Sequence, residues 1–241
     1  MGATKKLMEE TIMAYAAAMQ PRMENAGGAR KGFKIVTARF ANVAFSNGSL
    51  PIGWLNRIAK RQPLSCPLGI RRFFVSPVES GELCLAASVL AESGDIIYPK
   101  LDEKRDMIPF DAVVRDLLDE MGLGCRACKS TEEVLEAMRT YSPDASTGYP
   151  CEMFGSDTDG EKTFEEFYTD ADVKDETTFV NLGVVKNAKR RPVAEVEAIF
   201  AKLREVFDRA DATKEDVVAA LGEYLPNFHH ISKGKSLDER M

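Results

Sequence analysis

The chain has 241 residues, 44% of them hydrophobic and 29% charged, which is enough to bury a sizeable core in one domain or two. No stretch approaches the ~18 apolar residues of a membrane span, and no basic-then-apolar leader opens the chain, so a cytoplasmic location is expected. The net charge of −6 sits in the second half, where ten acids fall within residues 151–176 against only Lys162 and Lys174; this argues against a nucleic-acid partner.

Residues 3–25 predict an amphipathic helix, with Met8, Ile12, Tyr15 and Met19 at helical spacing and Pro21 then Gly27-Gly28 as the stop. Phe33 to Phe45 reads as one buried strand closed by Ser46-Asn47-Gly48, which suggests a parallel α/β sheet. Pro51 opens a short helix carrying Ile52, Leu55 and Ile58. An extended piece at Leu64–Cys66, a turn and Arg71–Val75 follow. Ser76, Pro77 and Glu79 then start a helix that runs through Leu83, Ala87 and Leu90 to Gly94. Asp95–Tyr98 predicts a short buried strand, 109–121 a helix with Val113, Val114, Leu117 and Leu118 inward, and Ser130–Glu133 a capping box for a helix to about Tyr141.

From Ser142 to about Lys189 the chain reads as loop, with one short helix at Phe164–Tyr168. Residues 192–210 and 213–225 read as a helical hairpin with Val196, Phe200, Leu203 and Phe207 on one face, and Ser232–Met241 as a polar tail. Three domain-like regions are expected: 1–121, an acidic loop-rich 122–190, and a helical 191–241. No Gly-x-Gly-x-x-Gly follows a strand, so a dinucleotide fold built only from these residues would be expected to lack its phosphate-binding half.

Several motifs occur in fixed order. Gly2-Ala-Thr-Lys5, Arg39-Phe-Ala-Asn42-Val, Ser46-Asn-Gly-Ser49-Leu-Pro, Arg71-Arg72-Phe-Phe-Val and Ser76-Pro-Val-Glu79-Ser-Gly span 80 residues. Tyr149-Pro-Cys-Glu-Met-Phe, Ser156-Asp-Thr-Asp-Gly-Glu and Leu182-Gly-Val-Val-Lys-Asn187 continue the series. Together they resemble the C-terminal half of extended short-chain dehydrogenase/reductases, in the polysaccharide-biosynthesis branch that contains UDP-N-acetylglucosamine 4,6-dehydratases. The fold this implies is α/β: the C-terminal part of a Rossmann-type parallel sheet with substrate-binding helices, plus a mainly helical C-terminal extension.

The resemblance also implies a chemistry, NAD-dependent 4,6-dehydration of a nucleotide sugar to a 4-keto-6-deoxy product. The family's Tyr-x-x-x-Lys signature projects both side chains from one helix face. Here Met1 stands at the tyrosine position and Lys5 at the lysine, so the chain is expected to begin at the catalytic signature. Lys5 would bind the nicotinamide ribose, Asn42 the sugar diphosphate, and Arg72 or its neighbour Arg71 the phosphates, with Ser49 and Glu79 near the nucleotide. A nucleotide-sugar epimerase would share these motifs, and a module without catalysis is the third alternative. A homo-oligomer, or association with a missing N-terminal half, is expected to cover exposed strand edges.

Cys125-x-x-Cys128 has redox or zinc spacing but no second such pair, and five cysteines without a secretory context point to reduced thiols. Asp157, Asp159 and Glu166 match only the latter part of a calcium loop, and His229-His230 reads as a surface pair, so no metal is expected.

Overall fold

The computed structural model describes residues 2–24, 34–143, 146–155, 167–169, 172–186, 188–225, 228 and 230. In chain order the elements are α1 (Gly2–Glu24), β1 (Thr37–Ala38), β2 (Asn42–Val43), α2 (Leu50–Ala59), β3 (Leu64–Leu68), β4 (Arg71–Val75), α3 (Pro77–Leu90) and β5 (Ile96–Pro99). They continue with α4 (Glu103–Asp106), β6 (Met107–Pro109), α5 (Phe110–Glu120), β7 (Cys125–Cys128), α6 (Thr131–Arg139), β8 (Tyr149–Gly155), β9 (Lys174–Asp175), β10 (Leu182–Val185), α7 (Val193–Asp208) and α8 (Lys214–Tyr224). The fold is α/β, with parallel strand pairs. No described helix is long and apolar enough to cross a membrane.

The chain forms two compact units. The first comprises Met1–Arg39, Gly81–Lys100 and Phe167–His230. Its sheet has the order β1-β5-β10-β9, with β1 parallel to β5 and the other pairs antiparallel. Successive residues of a strand face opposite sides of the sheet. Ile97 therefore packs with Leu83, Ala87 and Ala91 on the α3 side, and Ile96 and Tyr98 pack with Met13 of α1 on the other. Covered on both faces, β5 reads as the continuous apolar run Ile-Ile-Tyr, as expected of a central strand. Gly183 of β10 lies directly opposite Tyr98, and a Cβ there would stand 2.2 Å from the ring's Cζ.

The expected single strand Phe33–Phe45 is a correction. The segment contains two strands, and their partners lie in different units: Thr37 and Ala38 pair with β5, whereas Asn42 and Val43 pair with β4. The change falls at Arg39. Its amide donates to Ile97 O (2.8 Å), while its guanidinium grips Glu9 of α1 bidentately at 2.8 and 2.9 Å. The same side chain reaches Asp172 (3.1 Å) and the Phe167 carbonyl (2.7 Å), and Lys6 adds a second cation to Glu9 at 2.8 Å.

The inward face of α1 also differs from expectation. Leu7, Glu10, Met13 and Ala14 are buried, whereas Met8 and Tyr15 are 57% and 42% exposed. Small Ala14 and Ala16 allow close approach, and buried Glu10 is paired with Arg191 (Nε to Oε2, 2.5 Å), which also bonds Glu195 and the Tyr224 carbonyl. Pro21 lies inside α1 instead of ending it. On α7 the buried stripe is Val196, Ile199 and Val206; Phe200 and Phe207 turn outward. There, with Met8, Ile12, Leu203 and Leu221, they line an apolar groove. The hairpin itself is as expected, with Thr213 and Asp216 forming a capping box for α8.

The second unit comprises the described residues of 40–80 and 101–155. It holds the sheet β2-β4-β6 and the all-parallel sheet β3-β8-β7. Trp54, Leu64, Cys66, Val114, Leu118, Tyr149 and Cys151 form its main core. The Trp54 indole donates to Ser65 O and the Tyr149 hydroxyl to Gln62 O, both at 2.9 Å, so these large rings are buried without orphaned donors. The helix expected from the Ser130–Glu133 capping box is α6, in this unit with β7; the stretch expected as loop from Ser142 contributes β8 to this unit and β9 and β10 to the other. Most of the expected helix Phe164–Tyr168, the acids Asp157, Asp159 and Glu166, His229 and the tail lie outside the described residues.

Burial raises the Glu9 carboxyl, but the hydrogen bonds and charges of Arg39 and Lys6 outweigh it and leave it below its ordinary value. Asp172 is likewise raised by burial and lowered further by the Thr169 amide and Arg39. Both folded pKa values are depressed, so the stability they contribute is full above the unfolded values near ~4 and is lost as pH falls through the folded ones. Arg39→Met should cost about 3 kcal/mol at pH 7 by leaving carboxylates unpaired, and the cost should shrink below about pH 4. Urea denaturation of both proteins across pH checks this; a pH-independent difference would refute the ionic account.

Candidate functional site

In the second unit β2 and β4 run parallel, with Asn42 opposite Phe74 and Val43 opposite Val75. Paired residues share a sheet face, and so do residues two apart. Asn42, Phe74 and Arg72 therefore lie on one face and Arg71 with Phe73 on the other. The Asn42 amide donates to Phe73 O at 3.4 Å. Arg71 directs Nη2 at the carbonyls of Glu103 and Met107, each at 3.2 Å, while Arg72 Nη1 donates to the Arg71 carbonyl at 2.8 Å. The sequence left the two arginines interchangeable; strand parity separates them.

Two helices start at the carboxyl ends of this pair. After β2 the chain turns through Ser46–Ser49, with Ser49 N donating to Ser46 O at 3.0 Å, and enters α2 at Leu50-Pro51. Gly48 adopts a positive φ of 76° in that turn. After β4, Ser76 and Glu79 form a reciprocal cap on α3: Ser76 N donates to Glu79 Oε2 (2.6 Å) and Glu79 N to Ser76 Oγ (3.1 Å). The Ser76 backbone amide and then its hydroxyl hold Glu79 below the usual carboxylate range. Capping thus accounts for the place of Glu79.

The two N-termini differ in how far they are satisfied. Ser49 occupies the N-cap of α2 yet makes no side-chain cap, and its buried Oγ has no hydrogen-bond partner among the described residues. Buried hydroxyls are ordinarily paired. The other helices that follow a strand of a parallel pair are sealed by their own side chains. Besides α3, α6 is closed by Ser130 and Glu133 and α4 by the Asp102 carboxylate, which accepts from Lys104 N and Arg105 N. Of these helices that follow a parallel strand, α2 alone starts without a side-chain cap, as α5 and α7 do elsewhere; free helix amides favour an anion.

Lys5 lies on α1 in the first unit, exposed, with no hydrogen bond or ion pair among the described residues; Glu9 is taken by Lys6 and Arg39 instead. Asn42, Ser49, Arg71, Arg72 and Glu79 belong to the second unit, and Met1 lies outside the described residues. Sequence reasoning overlooked Arg39 as a centre of charge, because its partners stand 30 and 133 residues away.

Cys125 and Cys128 are on β7. An odd separation along a strand sends the side chains to opposite faces: Cys125 lies against the main core and Cys128 packs with Val134 and Ala137. Among the described residues no group of three or more His, Cys, Asp or Glu side chains is placed to hold a metal ion.

These turns do not suit the implied NAD. The sequence lacks the glycine-rich strand-to-helix loop, and carboxylates occupy the first turns of α3, α4 and α6, where they would repel a pyrophosphate. The described residues do not form a dinucleotide cradle.

A parallel strand pair leading into helix N-termini defines an α/β protein. Residues 1–187 match the polysaccharide biosynthesis protein family, and the chain belongs to that family. No curated protein matches it. Among solved structures it is similar to the X-ray structure of Pen from Bacillus thuringiensis, with 18% identity over 73% of this chain and a TM-score of 0.46. The chain spans about half the length of that protein, covering 47% of it.

Ser49→Ala should change stability by less than about 0.5 kcal/mol, since no cap bond is lost, whereas Ser76→Ala at the sealed α3 should cost about 1 kcal/mol. Denaturation midpoints of the two variants compare them; equal losses would mean that Ser49 is an ordinary cap.

Proposed function

We propose that the chain carries the substrate-binding part of a nucleotide-sugar 4,6-dehydratase that acts on a UDP-N-acetylglucosamine-like substrate in surface polysaccharide biosynthesis. The observation that carries the proposal is the shared face of Asn42 and Arg72, on the strand pair that leads into the open N-terminus of α2 with its orphaned Ser49 hydroxyl. An amide, a guanidinium and free helix amides are the donor set a sugar diphosphate requires. The ordered motifs and the family match over residues 1–187 support the same reading.

In this proposal Arg72 grips phosphate, Asn42 and Ser49 offer hydrogen bonds to substrate oxygens, and Arg71 braces the Glu103–Met107 segment. A Rossmann-type sheet is the fold this enzyme class implies. The hydride chemistry of that class needs NAD, for which the described residues form no cradle, so the role proposed for this chain is binding and orientation. Methionine at the tyrosine position favours a dehydratase over a tyrosine-dependent epimerase, because a thioether transfers no proton.

Calorimetric titration of UDP-N-acetylglucosamine tests the reading. Arg72→Ala should weaken binding at least tenfold, as expected for loss of a charge-assisted contact, and Arg71→Ala less than threefold. The reverse order, or no binding by the unaltered chain, would refute it. NAD should give no heat, and micromolar NAD binding would overturn the absence of a cradle. Joined to a glycine-rich NAD-binding half, the protein should yield a 4-keto-6-deoxy sugar; a C4 epimer as sole product would move the assignment to an epimerase.

A further inference from the structure

An apolar groove crosses the first unit where three helices meet. Met8 and Ile12 of α1, Phe200 and Phe207 of α7, and Val217 and Leu221 of α8 line a volume of about 410 Å³, within the ~300–1,000 Å³ range of small-molecule sites. The lining offers few hydrogen bonds: of its two threonines, Thr11 already donates its hydroxyl to Leu7 O at 2.7 Å. Phe207 is 66% exposed and Met8 57%, so large apolar side chains stand open to water along it.

Charge decides what fits. On a helix, residues three or four apart are surface neighbours. At that spacing from the lining residues stand Lys5, before Met8 on α1; Arg204, between Phe200 and Phe207 on α7; and Lys214, before Val217 on α8. All three are exposed, and Lys5 and Arg204 have no hydrogen bond or ion pair among the described residues. The acids at the same spacing are already engaged: Glu9 by Lys6 and Arg39, Glu10 by Arg191, and Glu197 by the Tyr15 hydroxyl at 3.5 Å. An apolar bed thus meets a cationic rim. A second copy of the chain would set rim against rim, like charge to like, and an uncharged ligand would leave the rim unused.

We propose that the groove binds a free single-chain fatty carboxylate, with its alkyl chain along Met8, Ile12, Phe200 and Phe207 and its head group at Arg204, where Lys5 and Lys214 add positive charge. A flexible chain suits a wall of Leu, Met and Phe, which presents no directional partner, and a carboxylate supplies the anion that the rim lacks. The site lies wholly in the first unit and shares no residue with the proposed sugar-diphosphate site.

Calorimetric titration of the full chain with octanoate, decanoate and dodecanoate, each below its micelle concentration, is the test. Each buried methylene should tighten binding up to about fourfold, so dodecanoate should exceed octanoate by at least about tenfold. Decyltrimethylammonium, with the chain of decanoate and the opposite charge, should bind more weakly than decanoate. Arg204→Glu, a change at an exposed position, should weaken decanoate about fivefold and 1-decanol less than about twofold. Equal affinity for the two charged ligands, no dependence on chain length, or an equal loss for decanoate and decanol in the variant would overturn the proposal. So would binding only to vesicles of anionic phospholipid. A dimer in sedimentation that Phe207→Ser converts to monomer would likewise overturn it and assign the groove to a second copy. None of these outcomes touches the sugar-binding reading, which the UDP-N-acetylglucosamine titration decides separately.

Discussion

The ion cluster at Arg39 is the constraint on which the first unit depends. One guanidinium holds α1 through Glu9 and the 167–172 segment through Asp172 and Phe167, while the backbone amide of the same residue donates to Ile97 O of β5. Two parts of the chain remote from Arg39 in sequence meet at one planar group, whose fork of donors suits this task as an ammonium would not. The second cluster, Arg191 with Glu10 and Glu195, ties the helical hairpin to α1 in the same manner. Both rely on charges taken largely out of water, so each is secure only while every member is present.

These clusters explain which parts of the fold were legible. Local signals were sufficient where local physics decides the outcome: the Ser76 and Ser130 caps, the apolar run of β5 and the hairpin α7–α8 all stand where composition placed them. The inward faces of α1 and α7 were misjudged because each helix carries two apolar stripes. The choice between them rests on Glu10 meeting Arg191, 181 residues away. Likewise, Phe33–Phe45 has uniform strand chemistry, and nothing in it announces that its hydrogen-bond partners change at Arg39. Strand β8 was missed because Pro150, Glu152 and Gly155 break its pattern, though both of its neighbours are parallel strands that cover it.

The candidate site was legible in its residue types and illegible in its geometry. Asn42, Ser49 and the arginine pair came from ordered motifs, but only strand parity shows that Arg72 and not Arg71 shares the face of Asn42. The same parity dissolves the Cys125-x-x-Cys128 pair by sending its two side chains to opposite faces. Helix capping acts as a selector in a similar way, since Glu79, Asp102 and Glu133 close three helix starts and leave that of α2 unfilled.

The opposition of Gly183 and Tyr98 has a consequence for how the first sheet assembles. With the ring lying across the strand at a point where no side chain fits, β10 has a single alignment against β5 that brings glycine under the phenol. A slip of one residue would set Val184 there, clash with the ring, and turn every buried side chain of the strand to the wrong face. Gly183 thus works as an indexing notch: it makes mispaired alignments of β10 against β5 self-rejecting.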